Sequence, residues 1–129
     1  MKDFLQPILT VFASAMVFLF GGFSGLITAL IVFIAVDYVS GLASAIMAKR
    51  LSSEVGAKGI AKKIVMLLIV ALGHILDVYV VKAGDTVRDL ATVFYIANEG
   101  ISILENCANL GLPVPKKVTE VLEQLKKGG

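Results

Sequence analysis

From Phe4 to Val36 the sequence carries no charged residue. An apolar run of about 18 residues or more is long enough to span a bilayer. This one has no charged face to turn to water, which excludes an ordinary soluble helical domain. Cysteine is almost absent: Cys107 stands alone, so no intramolecular disulfide, two-cysteine redox motif or cysteine-rich metal site can form. Histidine is limited to His74, and one histidine among scattered carboxylates makes a poor metal site. Ser44, His74 and Asp37 supply the residue types of a hydrolytic triad, but no nucleophile elbow or glycine-rich oxyanion motif accompanies them. The expectation is therefore no enzyme and no cofactor. The net charge of +2 is too small to suggest nucleic acid as a partner. No internal repeat or low-complexity tract is evident.

What the chain does have is apolar residues, 57% of the total, with only 17% charged. Soluble domains run nearer 45–50% and about 25%. The natural organisation is a single membrane domain over residues 1–129 with an all-α, polytopic transmembrane fold. Read as one helix, the uncharged run would be about 50 Å long, against a hydrocarbon core of about 30 Å. A turn at Gly21-Gly22-Phe23-Ser24-Gly25 resolves the mismatch better than a GxxxG face within one tilted helix. Helices are expected over about 4–20, 24–48, 60–82 and 87–110, giving four crossings, alternatively three. Pro7 suits the first turn of the first helix. Ala13-Ser14-Ala15 resembles a signal-peptidase site, but the hydrophobicity continues past it and the segment is expected to be retained. Leu51 to Gly59 reads as a polar connection with Gly56 and Gly59 as turn residues. Thr86 with Asp89 three residues on forms a capping box for the fourth helix. Gly111-Leu112-Pro113-Val114-Pro115 stops that helix, and a short amphipathic C-terminal helix over 115–127 needs a surface to dock on.

The ionisable residues inside these segments are the candidates for function. Asp37 falls near the middle of the second segment, His74 near the middle of the third with Asp77 after it, and Glu99 near the middle of the fourth. Asn98, Glu99, Ser102, Glu105 and Asn106 recur at helical spacing as one polar stripe. Mid-bilayer charges cost about 2.5–3.5 kcal/mol each, so these groups point to a bundle interior or to water. A buried hydrogen-bonded cluster and a wet, pore-lining surface both satisfy that rule. Ser40, Gly41, Ser44, Ala45 and Ala48 form two small-residue stripes that suit helix packing in lipid, within one subunit or between subunits.

Charge placement gives orientation. Lys49, Arg50, Lys58, Lys62 and Lys63 form a basic turn between the second and third segments. With four crossings, ten of the twelve basic residues share one side, and only Lys82 and Arg88 lie opposite. The positive-inside rule places that side, both termini included, in the cytoplasm, against anionic headgroups.

The pattern Asp37-Tyr38, Gly41, Leu51-Ser52-Ser53, Gly56, Lys58-Gly59, Lys62-Lys63 and Asp77 resembles the phage-lysis and toxin-secretion holin family. Tyr95-Ile96-Ala97-Asn98-Glu99-Gly100-Ile101-Ser102-Ile103-Leu104-Glu105-Asn106 and Gly111-Leu112-Pro113-Val114-Pro115 extend the resemblance over about residues 21–125. It implies a multi-pass protein of the bacterial cytoplasmic membrane that homo-oligomerises into pores or lesions. These release an endolysin or a toxin, with no direct contact to that cargo required and no catalytic residues. A small ion or proton channel or transporter, relaying through Asp37, His74 and Glu99, is the alternative from another class. A non-pore antiholin-type regulator is the third.

Overall fold

A computed structural model describes residues 2–128. Among them there are five α-helices: α1 (Lys2–Phe20), α2 (Gly25–Met47), α3 (Ser53–Leu76), α4 (Thr86–Asn109) and α5 (Lys116–Lys126). α1 starts earlier than expected, so Pro7 lies inside the helix and not in its first turn. The break at the glycines is real. Gly21 and Gly22 have φ of +75° and +107°, a region that side chains with a Cβ rarely enter. Ser24 then caps α2, its hydroxyl accepting from the Ile27 amide at 3.3 Å.

The connection between α2 and α3 is much shorter than the sequence suggests. Ser52 caps α3 by accepting from the Val55 amide at 3.1 Å, so residues 53–59 are helical. Gly56 and Gly59 are not turn residues. They face Tyr38 of α2, and a Cβ added at either would lie 3.3 Å from the phenol oxygen or 3.4 Å from the ring. Their role is clearance for the aromatic ring. Lys49, at φ +57°, and Arg50 remain in the connection, whereas Lys58, Lys62 and Lys63 belong to α3.

α3 ends in a π-helical turn, Asp77–Val81, closed by Lys82 in the left-handed region. The capping box expected of Thr86 and Asp89 does not form: the Thr86 hydroxyl donates to Ala83 O instead. The orphan amides at the start of α4 are capped from another helix. Asp77 accepts from the Val87 and Arg88 amides with its two carboxylate oxygens, each at 2.9 Å.

α2 and α4 form the most extensive helix pair and run in the same direction, Phe33 lying near Gly100 and Ser40 at Asn106; α3 is antiparallel to α4, Lys63 meeting Glu99 and Gly73 lying at Arg88. α1 packs on α3, and α5 folds back onto α4. Leu30, Met66 and Val70 form the apolar core, flanked by Phe20, Ile34 and Tyr95. Outside it the helices are bare: α1 buries none of its described residues, and Phe4, Val39 and Leu72 are examples of large apolar side chains left exposed. Apolar surface on that scale belongs against lipid, where intrahelical bonding satisfies the backbone. By length and composition α1, α2 and the 53–81 helix are able to cross a membrane. α4 has the length, 24 residues, but carries Arg88, Asp89, Glu99 and Glu105.

Candidate intramembrane charge cluster

Three helices bring three charged side chains to one point. Asp37 of α2 and Glu99 of α4 are 6% and 1% exposed, and Lys63 of α3 reaches between them. The Lys63 ammonium donates to both Glu99 oxygens at 2.7 Å and to Oδ2 of Asp37. Asn106, two helical turns beyond Glu99, donates from Nδ2 to Asp37 Oδ1 and to Ser40 Oγ, each at 3.0 Å. Each charged residue sits about 15–20 Å from either end of its α-helix, so the cluster lies at mid-length of all three. Two carboxylates against one ammonium leave one formal negative charge unless a proton is held there. A cavity of about 190 Å³ beside the cluster is lined by Asp37, Tyr38, Lys63, Ser102 and Asn106. A second, of about 280 Å³, shares Gly41, Val55 and Asn106 with it and reaches Arg50 and Asn109. Adjoining clefts therefore lead from the α2–α3 connection to the charges.

The residues singled out in the sequence divide into two centres. Asp37, Glu99, Ser102 and Asn106 meet here. His74 and Asp77 lie at the other end of α3, beyond the apolar layer. There Arg88, 5% exposed, donates from Nη1 to Phe20 O at 2.9 Å and pairs with Asp85 and Asp89. His74 packs beneath Gly21, where an added Cβ would fall 2.6 Å from its ring. Its Nδ1 is buried with no partner among the described residues. The polar stripe of α4 also divides. Glu99, Ser102 and Asn106 face α2 and α3, Asn98 is half-buried, and Glu105 is exposed, because steps of three and four residues keep a face that a step of one leaves.

Lys63 is the main correction. It reads in sequence as part of the basic turn, yet it is the cation of the cluster, and Glu99 pairs with it and not with His74 or Asn98. The signal was helical spacing: Lys63 shares a face with Met66, Val70, His74 and Asp77, all buried, while Lys62 points outward. The small-residue stripe of α2 is used inside the chain. Ser44 is buried, and Gly41 approaches the Asn106 amide, with 3.5 Å left for a Cβ; Ala45 is half-buried and Ala48 exposed. In the sequence Tyr38 and Gly100 stand out only within the family pattern, Ser40 only as a small packing residue, and Arg88 only as a basic residue on the far side; the contacts they make are not legible there.

Residues 14–127 match the bacteriophage holin family. The chain belongs to that family. It is 41% identical over 107 residues to an uncharacterized 14.9 kDa protein of the nagH 3′ region in Clostridium perfringens, covering 83% of this chain and 81% of that protein. It is 45% identical over 108 residues to an uncharacterized Listeria monocytogenes protein, covering 84% and 74%. Against the uncharacterized Bacillus subtilis protein YtkC it is 33% identical over 126 residues, covering 97% and 93%. No solved structure matches. The holin family is not an enzyme family, and its membership agrees with the apolar helices in making this a multi-pass membrane protein.

Proposed function

We propose that this holin-family chain self-assembles in the bacterial cytoplasmic membrane and opens water-filled lesions that release an endolysin or a toxin. The observation that carries the reading is the Asp37–Lys63–Glu99 cluster, held at mid-depth in helices whose outer faces suit lipid. Such a group is stable while neutralised within the subunit, and it becomes a hydrophilic surface once the helices separate and water enters. α4 crosses as the fourth span, because Glu99 meets Lys63 and Asp37 only if α4 shares the depth of α2 and α3. The basic α2–α3 connection and the α4–α5 connection then lie on the cytoplasmic side.

Induced expression with a co-expressed cytoplasmic endolysin tests this. Abrupt lysis dependent on both proteins is expected; normal membrane insertion without release of the enzyme overturns it. The cluster lies within a single chain, which favours a second reading, a small ion or proton conductor. That reading predicts dissipation of ion gradients with the endolysin retained. A regulator would do neither alone and would shift the lysis time of another holin.

A further inference from the structure

The C-terminal helix is in an unexpected place. α5 carries Val118, Val121, Leu122 and Leu125 on one face, and Lys116, Lys117, Glu120, Glu123 and Lys126 on the other. An amphipathic helix of this kind ordinarily lies flat at a membrane surface. Here it runs back along α4. Leu122 is buried in a notch at Gly100, where an added Cβ would fall 2.8 Å from its methyl groups and 3.2 Å from the Phe33 ring of α2. Further on, Leu125 and Lys126 line one cavity of about 580 Å³ with Leu90 and Phe94 of α4. The connection at Gly111, φ +84°, with Pro113 and Pro115, reverses the chain.

Gly100 adjoins Glu99 and lies about 14 Å along α4 from Asn109. Leu122 is therefore at the depth of the charge cluster, and Lys126 is deeper still. Leu122 is the buried contact of α5, with Val118, Val121 and Leu125 41–48% exposed; the charged face is exposed along its length, and lipid at that depth does not accept such a row of charges. The bare faces of α1 and α3, by contrast, are apolar. The subunit thus has a lipid side and a water side.

We propose that α5 is a strap on the water side. It lies in the α2–α4 groove with its charged face on a vestibule that opens toward the basic connection and is enclosed by further copies of this chain. The opening widens when the strap leaves the groove. This rests on the reading above, in which α4 crosses the bilayer and copies assemble. The Gly100 notch is the latch: a Cβ there would fall 2.8 Å from the Leu122 methyl groups and force them to shift.

The test uses the full chain in its membrane with Cys107→Ser as background. Gly100→Cys with Leu122→Cys is oxidised before triggering. A second pair, Leu90→Cys with Leu125→Cys, is bridged by a short reducible bis-thiol reagent and leaves the notch untouched. The expected result is a crosslink within one chain, loss of endolysin release while it is intact, and return of release on reduction. Leu122→Asp, which undocks the strap, should advance the onset of lysis. No intrachain crosslink at either pair in inserted protein overturns the strap, as do crosslinks only between chains. A crosslinked chain that releases endolysin on the normal schedule also overturns it. Absence of release even from reduced protein counts against the holin reading, while crosslinking still decides where α5 lies.

Discussion

Replacing Lys63 with Met tests the central contact. Met keeps the length of the side chain and fills similar space, so the change removes the ammonium and little packing. It leaves Asp37 and Glu99, both almost fully buried, facing each other with three bonds lost. Removing one partner of a buried ion pair costs about 3–5 kcal/mol. At about 1.4 kcal/mol per tenfold, that is a fall of roughly two to nearly four orders of magnitude in the folded-to-unfolded ratio. Replacing all the charges together is different. Lys63→Met with Asp37→Asn and Glu99→Gln leaves no buried charge, and such replacements are often neutral or stabilising. The assay is equilibrium unfolding in mixed micelles titrated with a denaturing detergent, on the single variants and the triple. The single Lys63→Met should be strongly destabilised, and the triple should recover most of the loss. A single variant within about 0.5 kcal/mol of the parent, the range of ordinary surface substitutions, would refute the cluster as a structural centre. So would a triple no better than the single.

Four further outcomes follow from the geometry. Asp77→Ala should remove the cap of α4 at about 0.5–2 kcal/mol and lower amide protection at Val87 and Arg88, whereas Thr86→Ala should leave that protection unchanged. Gly59→Leu should push α3 away from Tyr38 at about 1–3 kcal/mol in the same unfolding assay, and Tyr38→Ala in combination should relieve part of it. Gly41→Leu should drive α2 from Asn106 and destabilise the monomer. A loss of crosslinked oligomers with monomer stability unchanged would show that this face works between subunits instead. Reporters inserted after Arg50 and after Gly111 should score cytoplasmic, and one inserted after Gly84 should score outside; a fusion ahead of Lys2 scores cytoplasmic with four crossings and outside with three.

The apolar runs were legible because a missing charge over Phe4–Val36 has one physical meaning at that length. The glycine turn was legible because a single helix would outrun the bilayer. The start of α3 was not. In the sequence Ser52 reads as part of a polar loop, since glycines at 56 and 59 signal turns in water. Beside an aromatic ring in a packed bundle the same glycines signal clearance. The cap of α4 was missed for a similar reason. Local motifs identify caps from neighbouring residues, whereas Asp77 reaches its amides across a helix–helix contact. The identity of the polar residues in the cluster was visible, but the pairing was not: Lys63 looked like one lysine among five, and only its register with Met66 and Val70 marks it.

The two polar centres explain how α2, α3 and α4 find one alignment. Lipid offers no hydrophobic drive for apolar helices to pack, so contact and hydrogen bonding must set the arrangement. A smooth apolar helix slides on another at little cost. Here Lys63 fixes α3 against Glu99 and Asp37, and Asp77 fixes it against the first amides of α4. The two points are about 21 Å apart along α3, with Leu30, Met66 and Val70 sealing the space between them. A slide of one turn would break both at once, leaving buried charges and amides unpaired. The resting subunit is held at two separated points with an apolar seal, so intermediate registers are disfavoured. Disruption at either centre alone leaves the other to hold α3 and α4 in register, and only the loss of both frees them.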